Sequence, residues 1–249
     1  MTHFFAAPDQ VSEATVRITG TDLNHMKNVL RMKAGEQVSV SDGSSREYIC
    51  RIDRYEEDAA ILRIEDICEA ASELPAKVVL FQGIPKGEKM DLIIQKSVEL
   101  GVSCIVPTAM SRCVAKIEPQ KAEKKLQRFR KISESAAKQS GRSVIPEILA
   151  PMSLKEAVSY CADQGMRMIF AWEKAANPEE SAKVFSGLKD CGKIALFIGP
   201  EGGFSDEEAK LLQDAGADTV TLGKRILRTE TAPLFLLSVI GYELEMRGV

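Results

Sequence analysis

Short runs of alternating or β-branched residues occupy the first part of the chain, and such runs predict strands. One helical pattern interrupts them, beginning at Asp22, a residue type that favours helix N-termini. We therefore expect a small β-barrel that carries a single helix. The predicted strands span residues 15–18, 37–41, 46–52 and 61–67. The helix places apolar Leu23, Met26, Val29 and Leu30 on one face and basic His25, Lys27, Arg31 and Lys33 on another.

From residue 76 the pattern changes to strands that alternate with helices. An apolar strand at 76–84 precedes an amphipathic helix at 87–101 and a second strand at 102–107. This order predicts a parallel sheet and an α/β fold. The segment AASELP just before it is typical of a linker, so we expect two domains, at 1–72 and 73–249.

Three strands of the second domain are expected to end at one edge of its sheet. They span 166–172, 194–198 and 219–222. Because α/β folds bind ligands at the carboxyl ends of parallel strands, the residues after these strands are candidates for a pocket. The helices of this region are predicted to open at Glu118 with Pro119, at Ser153 with Glu156 in a capping box, and at Ser205 with Glu208 in another.

The strand IALFI runs into GPEGGFSDEE, which has three glycines within five positions. Glycine permits positive φ and the close approach of a ligand to the backbone. A strand, a glycine loop and a helix N-terminus together form a common site for nucleotide-type ligands. A tight turn without a ligand explains the pattern of this loop equally well.

The segment LGKRILRTETAP also follows a strand and precedes a helix. Thr229 or Thr231 can cap that helix. A plain core helix explains the leucines that follow. It does not explain the charged residues Arg228 and Glu230 just before them.

That last helix is apolar on every face, from Leu234 to Ile240. A helix of this kind must be covered on all sides, either by its own domain or by a partner subunit. We expect a homodimer, with Leu237 or Ile240 at the outward position.

The charge is unevenly distributed along the chain. Its 249 residues are 45% hydrophobic and 28% charged, and the net charge is −3. Ten Lys or Arg and three Glu lie between Arg112 and Arg142, so an acidic protein carries one basic block. Such a block favours binding to a phosphate backbone, although a solvated helix face is the alternative.

The sequence predicts no metal site, disulfide framework or membrane segment. The six cysteines include no C-x-x-C pair, and the two histidines are His3 and His25. No apolar run is long enough to span a bilayer, and MTHFFAAPDQ lacks the features of a signal peptide. We expect a cytoplasmic protein.

GPEGGFSDEE followed by LGKRILRTETAP resembles the C-terminal signature of the SPOUT methyltransferases, and most closely that of the RsmE family, which methylates N3 of a uridine in 16S ribosomal RNA. The resemblance extends to QKSVELGV at 95–102, SAAKQSGR at 135–142 and HMKNVLRMKAGEQVSVSDG at 25–43. It implies a SPOUT-type α/β trefoil-knot methyltransferase domain preceded by a small PUA-like β-barrel domain. It also implies S-adenosylmethionine as cofactor, a homodimer, and 16S ribosomal RNA, within a small ribosomal subunit, as partner.

Methyl transfer to uridine N3 requires an in-line nucleophile and removal of the N3 proton. The anion spreads onto two carbonyl oxygens, where a guanidinium stabilises it, and we assign this role to Arg228. Glu230, Glu201 and Glu173 are candidate proton acceptors, and the sequence does not choose among them. A salt bridge that orders the bend explains Glu230 equally well.

The resemblance implies that the cofactor binds mainly to backbone groups of the two C-terminal motifs. These residues are Gly199, Glu201, Gly202, Gly203, Leu222, Gly223, Ile226, Leu227, Arg228, Thr231 and Ala232. The expected RNA-binding residues are Arg31, Lys124, Lys125, Arg128, Lys131, Gln139 and Arg142. Gln139 and Arg142 would reach either RNA or the site of the opposite protomer.

Two other functions fit the sequence. One is a ribose 2′-O-methyltransferase of the same fold, and the other is a non-catalytic RNA-binding protein that keeps the pocket. A dinucleotide oxidoreductase is disfavoured because G-P-E-G-G lacks the G-x-G-x-x-G spacing. The sequence does not identify the target nucleotide.

Overall fold

The structure is a computed structural model that describes residues 1–43, 46–69, 71–115, 119–175 and 177–247, with the backbone alone at residues 119 and 121. The chain forms two compact units. The first comprises Met1–Glu73 with Ala137–Ile145, and the second Leu74–Ala136 with the chain from Pro146 onward. None of the helices within these described ranges is both long and apolar enough to cross a membrane.

A five-stranded sheet with the order β1-β3-β4-β5-β2 forms the first unit. Its strands are β1 Thr2–Phe5, β2 Thr15–Thr19, β3 Gln37–Ser41, β4 Arg46–Tyr55 and β5 Ala59–Glu69. β1 runs parallel to β3, and the other pairs are antiparallel. All four predicted strands are present. β1 is missing from the prediction because four residues are too few to establish a period.

Alternate residues of these strands form the core of the unit. Val16 and Ile18 of β2, like Val38 and Val40 of β3, are almost fully buried. Burial alternates along β2, as a sheet with one buried face requires, whereas in β3 the intervening Ser39 and Ser41 are buried as well.

The helix of the first unit differs from the expected one. α1, Gly20–Asn24, begins after Thr19 and continues as a π-helical turn, His25–Val29. Asp22 therefore lies in the first turn, and its prediction as the N-cap was wrong. Of the expected apolar face Met26 is buried, whereas Val29 and Leu30 are exposed because the π-helical turn changes the helical phase.

A parallel sheet with the order β12-β10-β11-β6-β7-β8 forms the second unit, and β9 also pairs with β7. Its strands are β6 Lys77–Gly83, β7 Cys104–Ala109, β8 Glu147–Ile148, β9 Met152–Ser153, β10 Arg167–Ala171, β11 Lys193–Ile198 and β12 Asp218–Val220. The helices are α2 Lys89–Glu99, α3 Pro119–Ser140, α4 Leu154–Asp163, α5 Pro178–Ser186, α6 Asp206–Asp214 and α7 Ala232–Gly241. α5 was not predicted, and Glu118, the expected start of α3, lies outside the described residues.

Both predicted capping boxes are confirmed. The hydroxyl of Ser153 accepts the Glu156 backbone N–H at the start of α4, and the hydroxyl of Ser205 accepts that of Glu208 at the start of α6. Each box contributes about 1 kcal/mol and fixes where the chain turns from the sheet edge into a helix.

After β12, at one edge of the sheet, the chain crosses back to α7, which packs against α2 and β11. Leu236, Leu237 and Ile240 are fully buried by this packing. The prediction that Leu237 or Ile240 points outward was therefore wrong. The exposed apolar residues of this region are Phe235, Tyr242 and Met246.

Candidate functional site

A cavity of about 570 Å³ lies where β10, β11 and β12 end. Its walls come from three segments that follow those strands, at 171–173, 198–204 and 221–229, together with Lys89 and Ala232. Parallel pairing of the strands brings the three segments to one edge, as the sequence predicts.

Every residue expected to bind the cofactor lines this cavity except Thr231. Of the residues proposed for catalysis, Arg228 and Glu201 line it and Glu230 does not. Glu173, the third candidate proton acceptor, also lines the cavity.

Two glycines of the glycine loop, residues 199–204, have no room for a side chain. A Cβ atom on Gly199 would lie 3.0 Å from the backbone of Gly203. Gly203 has φ +65°, and a Cβ there would lie 3.2 Å from the Glu173 carboxylate. The side chain of Arg112 holds the loop from outside by donating from Nη1 to the Gly202 carbonyl oxygen at 2.8 Å. At Gly199 and Gly203 the loop therefore presents only backbone to the cavity, whereas Glu201 also lines it.

A buried chain of hydrogen bonds ties the bend, residues 221–231, to the sheet. Gln82 Nε2 donates to Thr229 Oγ1 at 3.0 Å, and Thr229 Oγ1 donates to the Gly199 carbonyl oxygen at 2.8 Å. Thr229 thus anchors the bend, whereas Thr231 occupies the N-cap position of α7 without a side-chain hydrogen bond. This chain anchors the bend at Thr229, the residue that follows Arg228.

Lys89 joins two carboxylates at the mouth of the cavity. Its Nζ lies 3.1 Å from Glu201 Oε1 and 3.1 Å from Glu230 Oε2. Glu201 Oε1 also accepts the Lys86 backbone N–H at 3.1 Å. These three side chains form the Lys89 clamp.

The clamp keeps its three groups charged. Burial alone would raise the pKa of Glu201, but backbone N–H groups and Lys89 outweigh it and lower that pKa. Burial also acts to raise the pKa of Glu230. The Glu230 backbone N–H, Lys89 and Arg228 outweigh burial and lower that pKa. The ion pairs with Glu201 and, to a smaller extent, Glu230 raise the pKa of Lys89.

The lining of the cavity is rich in cations. It includes Lys89, Lys224, Arg225 and Arg228, against the carboxylates Glu173 and Glu201. An excess of positive charge suits an anionic ligand such as a nucleotide. Trp172 Nε1 in the wall is buried and donates to no acceptor among the described residues.

Lys89 and Trp172 were missed as site residues. A strand-end pattern does not reveal which side chain of a distant helix reaches the site. A signal for Lys89 was nevertheless present, because a lysine at the first position of a helix opposes the helix dipole.

The expected RNA-binding residues have different surroundings. Arg31, Lys124, Lys125, Lys131 and Gln139 are exposed. Arg128 is exposed but pairs with Asp91. The prediction for Arg142 is corrected: its side chain is 4% exposed and pairs with Glu73, so it is not available to RNA in this conformation.

Two family models match the chain. Residues 72–241 match the RNA methyltransferase domain, and residues 18–65 match the RNA methyltransferase PUA domain. The fold and the pocket thus define the class of RNA methyltransferases that carry a PUA domain.

Comparison with individual relatives identifies the family within this class. The ribosomal RNA small subunit methyltransferase E of Bacillus subtilis is 35% identical over 95% of this chain and 94% of its own length. That of Synechocystis is 33% identical over 96% of this chain and 77% of its own length. The chain belongs to the ribosomal RNA small subunit methyltransferase E family.

A solved structure confirms the predicted fold class. The ribosomal RNA small subunit methyltransferase E of Neisseria gonorrhoeae, crystallised with S-adenosyl methionine, has a TM-score of 0.85 and 32% identity over 98% of both chains. The mixed α/β fold of the second unit and the PUA domain of the first agree with the SPOUT-type prediction.

Proposed function

We propose that this protein transfers a methyl group from S-adenosylmethionine to N3 of a uridine in 16S ribosomal RNA. The observation that carries the proposal is the cavity formed by the glycine loop and the bend. It supplies backbone N–H and C=O groups at close range, a free indole N–H at Trp172, and an excess of cations. Such groups fit a nucleoside and an anionic base.

The cofactor supplies an activated methyl group, so the residues of the chain need only position the uridine and manage its proton. We propose that the Gly199–Gly203 backbone and the bend hold the cofactor. Arg228, whose backbone is fixed by the Thr229 anchor, stabilises the charge that develops on the uracil carbonyl oxygens.

Glu230 and Glu201 are the proposed proton acceptors. Lys89 and backbone N–H groups keep both carboxylates ionised, so each has a free lone pair for the N3 proton, while the lowered pKa makes each a weaker base than an ordinary glutamate. Glu201 lines the cavity and Glu230 does not, which favours Glu201 for direct contact with the uridine.

RNA binding is proposed for both domains, with 1–72 as the PUA-like RNA-binding domain and 73–249 as the methyltransferase domain. Lys124, Lys125 and Lys131 lie exposed on α3, where a phosphate backbone can reach them. Arg31 is exposed after the π-helical turn and has φ +54°, an uncommon conformation for a residue other than glycine. Because the proposed substrate is ribosomal RNA, we propose that the protein acts in the cytoplasm.

We propose a homodimer that forms through the exposed face of α7 and the turn after it. Phe235, Tyr242 and Met246 are 40%, 54% and 68% exposed. An apolar surface of this kind on a soluble protein marks a protein contact. A second copy covers it by two-fold symmetry.

Nucleoside analysis tests the proposed reaction. Purified protein, 16S RNA in small subunits, and methyl-labelled S-adenosylmethionine should yield labelled 3-methyluridine by mass spectrometry. A label on ribose that blocks alkaline hydrolysis of the next phosphodiester would support 2′-O-methylation instead. Binding of cofactor and RNA without any label in RNA would support the non-catalytic alternative.

A further inference from the structure

The first residue of α2 is of a type that is unfavourable at a helix N-terminus. Lys89 occupies the first helical position, and Glu88 before it makes no side-chain capping hydrogen bond. A cation there opposes the positive end of the helix dipole. Violations of local rules are expected at functional sites, where another interaction compensates.

The compensation comes from two segments far away in the sequence. Glu201 belongs to the glycine loop and Glu230 to the bend, and both carboxylates lie 3.1 Å from Lys89 Nζ. The Lys89 side chain is 31% exposed, against 29% for Glu201 and 17% for Glu230. One ammonium group therefore connects α2, the glycine loop and the bend at the mouth of the cavity.

Without this cation the two carboxylates would repel each other. Glu201 would keep the Lys86 backbone N–H, and Glu230 would keep its interaction with Arg228. Neither remaining contact joins the glycine loop to the bend at this mouth. The buried hydrogen bond from Thr229 to the Gly199 carbonyl oxygen would still join the two segments, next to Glu230 and two residues before Glu201, so Lys89 adds a second link at the carboxylates.

We propose that Lys89 is a positioning residue of the methyl-transfer site, which sets the spacing between the glycine loop and the bend by holding Glu201 and Glu230 together. The inference rests on the proposed function for the identity of the ligand. The contacts of Lys89 with Glu201 and Glu230 do not depend on that function. Lys89 acts on the cofactor and the uridine through these two carboxylates.

The experiment compares Lys89→Met with Lys89→Arg and with Lys96→Met. Lys96 is a matched control because it lies on the same helix and pairs with Glu99 away from the cavity. Calorimetry gives the S-adenosylmethionine affinity of each variant between pH 5 and pH 8. Hydrogen exchange of the ligand-free proteins reports the mobility of residues 199–204 and 221–231.

Lys89→Met should weaken cofactor binding on the order of tenfold, about 1.4 kcal/mol. The pH below which binding is lost should move upward, because the carboxylates lose the cation that lowers their pKa. Exchange should rise in the two segments and not in β6. Lys89→Arg should recover most of the affinity, since a guanidinium can also bridge two carboxylates.

Wild-type exchange and pH dependence in Lys89→Met, or equal effects of Lys96→Met, would overturn the inference. A lower melting temperature of Lys89→Met, with unchanged exchange in the two segments, would also overturn the inference. That result would indicate that Lys89 only stabilises the fold. Failure of the wild-type protein to bind S-adenosylmethionine would instead refute the proposed function. The exchange comparison would then still decide the role of Lys89.

Discussion

Gly199 illustrates how the site depends on single atoms. A Cβ atom at this position would lie 3.0 Å from the Gly203 backbone, which cannot move without opening the loop. We expect Gly199→Ala to weaken S-adenosylmethionine binding by about tenfold or more, roughly 1.4 kcal/mol or above, measured by calorimetry. Gly192→Ala is the control because a Cβ there meets nothing within 4 Å. If Gly199→Ala binds S-adenosylmethionine as tightly as Gly192→Ala does, the loop does not contact the cofactor.

His3 should make the first unit sensitive to acid. Burial lowers the pKa of His3 below its ordinary 6.5, against the opposing effect of Glu47. Because the unfolded chain then binds the proton more tightly, stability is complete above pH 6.5 and falls as the pH drops toward the lowered value. Unfolding by urea between pH 8 and pH 5 measures this loss.

His3→Gln should remove that component of the pH dependence. His25→Gln is the control because His25 is exposed. If the wild type and His3→Gln lose stability in parallel as the pH falls, another group is responsible.

At the scale of elements, α3 is predicted to bind RNA. Replacing exposed Lys124, Lys125 and Lys131 by Glu should weaken binding to ribosomal RNA. It should also reduce the slope of log affinity against log salt by about 2–3, because each phosphate contact contributes roughly 0.7–0.9. Filter binding at several salt concentrations measures this.

The control carries the same charge change elsewhere in the second unit, at exposed Lys155, Lys183 and Lys189. Cofactor affinity should be unchanged in both triple variants. An equal salt slope in the two would show that the basic face of α3 is merely solvated.

The sequence predicted most elements because their periods and caps are local. β6, α2 and both capping boxes are within a few residues of the expected positions. It could not predict how the charges pair, since Arg142 with Glu73 and Lys89 with Glu230 join distant positions. The outward face of α7 was wrong for the same reason: a helix that is apolar all round has no sequence signal for which side the core covers.

For the whole molecule, we expect Phe235→Asp to abolish the dimer. The side chain is 40% exposed, so a charge there should leave the fold intact and act twice across a two-fold interface. Sedimentation measures the mass, and a methylation assay shows whether monomers are active. Ile67→Asp is the control, because Ile67 is 53% exposed in the first unit. A dimeric Phe235→Asp protein would place the interface elsewhere.

The hydrogen bond between Gln82 and Thr229 can form only after both residues have been synthesised. These residues are 147 positions apart. A ribosome adds about 5–20 residues per second, so about 7–30 s separate the synthesis of the two. Throughout that interval β6 lacks the segment that closes the cavity. A growing chain that has not yet reached Thr229 therefore lacks one wall of the cavity.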